Sequence, residues 1–195
     1  MEDQFYNYLK NKALVKVEHL EILMKLISRM HLKKNEVLLA AGESCKHMFF
    51  VESGLLRLYS IDSSGKEHIL QFASENWFLS ERESLYFGNP SEFFIDALED
   101  TTVVVFDQKF IEQASEISSE FRMYNDYLLQ NHIRQLQKRI NALIGSSAET
   151  RYMDFIALFP DLSHRIPQWM IASYLGITPE SLSRVRKGLA GHNSR

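Results

Sequence analysis

Glu180 and Arg184 stand four residues apart in a stretch that also carries Ser181, Ser183, Arg186 and Lys187. Four residues is close to one helical turn, so the two charges share a face. A carboxylate accepts from cytosine N4 and a guanidinium donates twice to guanine O6 and N7, so such a pair, presented by a helix in a major groove, can read base edges. The serines and the remaining cations suit phosphate oxygens. The same spacing also describes an ion pair on a solvated helix, worth about 0.2–0.5 kcal/mol. What separates the two readings is the scaffold around them.

Leu182, Val185 and Leu189 recur at i, i+3 and i+7, one buried stripe that leaves the charged residues outside. Thr178 is placed to cap that helix, and Pro179 at its first position gives up an N–H that has no helical partner. Upstream, a helix over Gln168–Tyr174 should bury Ile171, Ala172 and Leu175, with Ala172 small enough for close approach. Gly176 supplies the left-handed conformation of a tight inter-helix turn, and Ile177 plugs the corner. The stretch therefore reads as a helix-turn-helix with its recognition helix near 178–190. Its candidate DNA contacts are Gln168, Thr178, Glu180, Ser181, Ser183, Arg184, Arg186 and Lys187.

Charge is distributed to match. Residues 1–110 carry 12 Lys and Arg against 17 Asp and Glu, residues 111–145 carry four of each, and residues 146–195 carry six against four. An acidic body with a basic tip suits a protein that meets DNA by one end. A hydrophobic content of 45% with 24% charged residues is ordinary globular composition. The chain of 195 residues has room for two modest domains and not three. No apolar run approaches membrane-spanning length and the first residues lack the order of an export signal, so a cytoplasmic protein with no membrane partner is expected. The single cysteine, Cys45, reads as a structural thiol, and the seven histidines show no metal-ligand spacing. No metal or cofactor is expected.

Chemistry of the enzyme kind finds no foothold: there is no GxSxG, no Walker loop and no Cys/His constellation. Glu81 and Glu83 read as two acids on a loop.

Upstream elements must position the tip. The first 30 residues have helical spacing at Phe5, Leu9, Leu20, Leu23, Met24 and Ile27, and predict two short helices. From Lys33 to Asp107 the pattern changes to short strands between turns, which predicts an antiparallel roll or barrel. A helix from about Glu116 to Ile144 follows, with Phe121, Tyr124, Leu128, Gln135, Leu136, Ile140 and Leu143 near a heptad seam. Its length favours a homodimer formed through residues 116–144. Gly145-Ser-Ser147 ends it, and Ala148–Leu158 predicts a small helix that turns Tyr152, Phe155, Ile156 and Phe159 inward.

The fold class is thus α+β: an N-terminal antiparallel β-roll of double-stranded β-helix or jelly-roll type, a long dimerisation helix and a winged-helix-like C-terminal domain. The boundaries fall at 1–110, 111–145 and 146–195.

In this order of elements the chain resembles the Crp/Fnr superfamily of bacterial transcription regulators over nearly its whole length. Gly42-Glu43, Phe49-Phe-Val-Glu-Ser-Gly54 and Gly65-Lys-Glu-His-Ile-Leu70 look like successive turns of that family's cyclic-nucleotide-type roll. Ser147-Ala-Glu-Thr-Arg-Tyr152, Arg165-Ile-Pro-Gln168 and Ala172-Ser-Tyr-Leu-Gly-Ile-Thr-Pro-Glu-Ser-Leu-Ser-Arg184 look like a subgroup common in Bacteroidetes, and are the more specific match. The resemblance implies a homodimer on a palindromic operator, with RNA polymerase a further candidate partner.

Members that bind cyclic AMP carry Phe-x-Gly-Glu and, about ten residues later, Arg-Ser-Ala; the glutamate takes the ribose hydroxyl and the arginine the cyclic phosphate. The matching residues here are Phe78, Ser80 and Glu81, then Ser91 and Glu92. The arginine is replaced by Ser91, and Glu92 brings a negative charge toward a negative ligand. These five residues are the candidate effector pocket, for an effector other than cyclic AMP whose identity the residues do not give. Trp77, Phe78, Phe93 and Phe94 are candidates to line an apolar cavity or plain core. The iron–sulfur branch of the superfamily is excluded by the missing cysteine cluster.

Relatives often read bases through Arg-Glu-x-x-x-Arg. Here Pro179 stands first, followed by the matching Glu180 and Arg184, and the sequence stops soon after Gly191, so site preference should differ and affinity should be modest. The competing reading is a ligand-binding regulatory module that controls a protein partner and carries a degenerate DNA domain.

Overall fold

The computed structural model describes residues 3–192. Short apolar segments between turns form eight strands: β1 (Ser28–Leu32), β2 (Val37–Leu39), β3 (Met48–Ser53), β4 (Leu56–Ile61), β5 (Glu67–Ala73), β6 (Phe78–Leu79), β7 (Phe94–Ala97) and β8 (Thr101–Phe106). They lie in two four-stranded antiparallel sheets, ordered β1-β8-β3-β6 and β2-β7-β4-β5. Alternation explains the layers, because successive strand residues point to opposite faces. Phe49 and Val51 on β3, Leu56 and Leu58 on β4, Ile95 and Ala97 on β7, and Val103 and Val105 on β8 fill the roll interior.

The opposite face of β3 and β8 presents Met48, Phe50, Val104 and Phe106 to helices α1 (Gln4–Asn11), α2 (Val17–Leu23) and α4 (Gln108–Ile117). Phe50 is the centre of this second core, with ring centroids of Phe5, Tyr8 and Phe78 within 5.0 Å. On the outer side of β4 and β7, Arg57 grips Asp96 with two hydrogen bonds of 2.7 and 2.8 Å and lies 3.9 Å from the Tyr59 ring centroid. Both charges are buried, so each depends on the other for its hydrogen bonds.

One compact unit takes the residues up to Ser60 together with Leu70–Gln130; the second takes Ile61–Ile69, the tip of the β4–β5 hairpin, together with the chain from Asn131 onward. The second unit contains the end of α5 (Ser119–Gly145), then α6 (Ala148–Leu158), α7 (Leu162–Arg165), α8 (Gln168–Leu175) and α9 (Pro179–His192). Among the described residues no helix is long and apolar enough to cross a membrane.

Three local readings are corrected. Strands begin at Ser28 rather than Lys33, since β1 pairs with β8 from Ser28↔Val105 to Leu32↔Thr101. The expected helix from Glu116 is preceded by α4 and begins afresh at Ser119. Extended Ser118 breaks the two helices, its hydroxyl accepting from the Phe121 N–H. Glu81 and Glu83 are not on a loop: Glu83 lies in the first turn of α3 (Arg82–Phe87) and Glu81 is its cap. Of the two readings of the four aromatics, plain core is the one that holds, for Trp77 and Phe93 pack on the roll interior, Phe78 faces the N-terminal helices and Phe94 stacks on Tyr59.

Candidate nucleic-acid interface

The reading unit is built by local signals. Helix α8 buries Met170, Ile171, Ala172 and Leu175, and ends at Gly176, which adopts φ 66° and ψ 38°. The Ile177 N–H then reaches back to the Ala172 carbonyl at 3.0 Å, closing a Schellman turn that satisfies a carbonyl left open by the helix end. Beneath it, Phe155 of α6 and Phe159 at its C-cap pack against Tyr174, the first tilted and the second edge-on.

Thr178 caps α9 as its chemistry requires: Oγ1 accepts from the Ser181 N–H at 3.2 Å and donates to Ser181 Oγ at 3.2 Å. Leu182 is buried while Val185 and Leu189 are half-buried, so one stripe of α9 faces the unit. Glu180, Ser183, Arg184, Arg186 and Lys187 are exposed on the remainder, and Ser181 is half-buried. Arg184 Nη2 donates to Ser181 Oγ at 3.1 Å. Among the described residues, Arg186 and Lys187 make no ion pair or hydrogen bond. The Glu180 carboxyl is held below its ordinary range, first by its own backbone N–H, then by the Thr178 hydroxyl and the charge of Arg184. A carboxylate that stays ionised is the form that accepts from a cytosine amino group.

Gln168 departs from the rest. It is half-buried in the first turn of α8, with Oε1 enclosed and lacking a partner. A phosphate, itself an acceptor, could engage only its amide N–H groups. Arg195 of the basic tip lies outside the described residues.

The candidate effector residues do not form one pocket. Phe78 points away from the roll interior, Glu92 is exposed and Ser80 is half-buried. Glu81 is 4% exposed and accepts from the N–H groups of Glu83 at 3.0 Å and Ser84 at 2.8 Å. Its carboxylate therefore occupies the positive end of α3, where an anion would otherwise sit. Ser84 Oγ is taken by the Cys45 N–H, and buried Ser91 exchanges hydrogen bonds with the Phe93 backbone at 3.0 Å. A cyclic phosphate does not fit this arrangement. Buried Ser91 stands where an arginine would pair with the phosphate, and its hydroxyl is engaged by the Phe93 backbone.

Sequence reasoning missed Trp169, Ser173 and Arg139. Trp169 is 40% exposed on α8. Ser173 Oγ accepts from the Ile69 N–H at 3.0 Å and donates to the Glu67 carbonyl at 3.3 Å, joining α8 to the hairpin tip. A serine in a helix carries no sequence signal of such a distant partner.

Comparison with known proteins places these features. Residues 29–117 match the cyclic nucleotide-binding domain family. The anaerobic regulatory protein of Pasteurella multocida is 26% identical over 86% of this chain and 65% of its own length; the chain thus spans just under two thirds of that relative. The transcriptional activator protein anr of Pseudomonas aeruginosa is 28% identical over 87% of this chain and 73% of its own length. Among solved structures, FixK2 from Bradyrhizobium japonicum superposes with a TM-score of 0.71 at 20% identity, over 86% of either chain, and so shares the fold. With the roll matched as a domain and bacterial regulators aligned along most of its length, the chain is similar to this group of transcription regulators in both its domain content and its order of elements.

Proposed function

We propose that the chain is a sequence-specific DNA-binding transcription regulator of the cytoplasm, acting as a homodimer on an imperfect palindrome. The observation that carries this reading is the exposed face of α9, where Arg184, Arg186 and Lys187 lie off the buried stripe beside a capped helix start. Glu180 and Arg184 read base edges, while Thr178, Ser181, Ser183, Arg186 and Lys187 hold phosphates and Gln168 adds an amide donor.

Self-association uses α5. Leu129, Ile133, Leu136, Ile140 and Leu143 are 38–57% exposed and recur at spacings of four and three, the pattern of a two-stranded coiled coil. This seam differs from the one expected, for Phe121 is buried in its own core and the Tyr124 hydroxyl pairs with that of Tyr8 at 2.8 Å. Two heads held by such a stalk meet half-sites about 34 Å apart. An effector, if the roll takes one, is other than cyclic AMP, because Ser91 stands where an arginine would pair with the cyclic phosphate and Glu92 adds a negative charge beside it.

The test is selection of genomic fragments by the purified protein, followed by electrophoretic shift of the selected site. The wild type should retain a palindromic fragment, and the variant Arg184→Ala/Arg186→Ala should lose it while remaining dimeric. Unchanged retention by that variant would instead favour a module acting on a protein partner.

A further inference from the structure

Arg139 is a cation of the second unit that the DNA-reading face does not use and that bonds inward. It lies on α5 and is half-buried. Its Nη2 donates to two backbone carbonyls at 3.2 Å each, Ile69 of the hairpin tip and Tyr174 in the last turn of α8. Its guanidinium carbon stands 4.0 Å from the Tyr174 ring centroid. A single planar group therefore ties three elements: the stalk helix, the hairpin and the first helix of the reading unit. One turn further along the stalk, Leu143 comes so close to the inter-helix turn that a Cβ at Gly176 would meet its Cδ2 at 3.1 Å. Positions 139 and 143 are four apart and share a face.

The hinge between them is sealed by a second arginine. Arg151 Nη1 donates to the carbonyl of Ala142 at 3.3 Å, which also accepts the Ser146 N–H, and to that of Ser146 at 2.8 Å, just past the C-terminal end of α5. The hairpin adds its own fastening through the two hydrogen bonds of Ser173.

We propose that Arg139 is a positioning residue that fixes the angle of the reading unit on the stalk, and so sets which half-site spacing the dimer accepts. The proposal rests on the DNA-reading function above. A burial that costs a guanidinium its water is tolerated here because two carbonyls and an aromatic face replace it. Lysine, a point charge, matches the carbonyls but not the ring. Inserting or removing one base pair moves a half-site about 3.4 Å along the duplex and rotates it roughly 35°. A head held at one angle rejects that change, whereas a head that swings on the Ser146–Ser147 link follows it.

The experiment uses the full-length dimer and the selected palindrome, with versions one base pair shorter and longer and an isolated half-site. Wild type should prefer the selected spacing by about tenfold or more. Arg139→Met should bind it about tenfold more weakly, since only a fraction of heads is aligned at any moment. Its preference among spacings should shrink to within about threefold while half-site binding stays unchanged. Arg139→Lys should recover part of the preference. If Arg139→Met fails to fold or dimerise, Ser173→Ala, which removes only the hairpin fastening, is judged by the same ratio of spacings and should lower it. A variant that folds, dimerises and keeps the wild-type preference overturns the proposal. Failure of the wild type to retain any palindrome overturns the DNA-reading function instead.

Discussion

The cassette of the roll and the face of the recognition helix use polar groups in opposite ways. Around α3, each polar group closes on a neighbour: Glu81 on two backbone N–H groups, Ser84 on Cys45, Ser91 on Phe93. Along α9, Arg184 makes one hydrogen bond to a serine, and Arg186 and Lys187 make none among the described residues. Buried polar groups must find partners within the protein, whereas exposed cations can wait for an external one. A site that has satisfied itself has no capacity left for a ligand. Function in this chain is therefore to be sought where hydrogen-bonding capacity remains uncommitted.

The contrast can be broken most forcefully at its support. Phe50→Ala, at the centre of the aromatic cluster, should cost about 3–5 kcal/mol of stability in urea unfolding. A cost below about 1 kcal/mol would show that the second core does not hold the roll. Next, Arg184→Ala/Arg186→Ala should weaken operator binding by about 2–4 kcal/mol while the unfolding midpoint stays put, as expected of groups that bond mainly outward. A large fall in stability would move these arginines into the class of Glu81.

Glu81→Ala leaves two N–H groups of α3 uncapped and should cost about 1–2 kcal/mol. In the same thermal-shift assay, cyclic AMP should leave the wild-type midpoint unmoved; a shift that grows with concentration would mean that the seat is open. The smallest effect belongs to the hairpin tip. The Ser64 hydroxyl, His68 and the backbone N–H groups of Lys66 and Ser64 hold the Asp62 carboxyl well below the usual carboxylate range. A carboxyl depressed on folding stabilises the protein above its unfolded value, near 4, and that contribution fades as the pH falls below it. Amide exchange in residues 61–69 should accordingly rise in acid relative to the rest of the roll, and Asp62→Asn should abolish that dependence.

How much of this was legible depended on range. The bounds of α6, the turn at Gly176 and the cap at Thr178 are written in adjacent residues, and sequence reading located them. Helix α3 has six residues with Tyr86 and Phe87 exposed, so no apolar stripe announced it. The seam of α5 was misread because Phe121 and Tyr124, which fit a heptad, are claimed by α4 and α1 instead. Strand β1 was hidden because its identity lies in pairing with β8, from Ser28↔Val105 to Leu32↔Thr101, distant in sequence. Arg139 and Ser173 were invisible for the same reason: their partners include the hairpin, far off along the chain.

Gly176 carries two independent demands. The turn needs a positive φ, and Leu143 leaves no ordinary clearance for a Cβ. Asparagine, which tolerates left-handed backbone better than most side chains, would meet the first demand and still press on the stalk. Asparagine at this position should therefore weaken operator binding less than alanine or valine, the Leu143 methyl having to give by a few tenths of an ångström in every case. One glycine thus couples the shape of the reading turn to the side chain that the stalk presents beneath it.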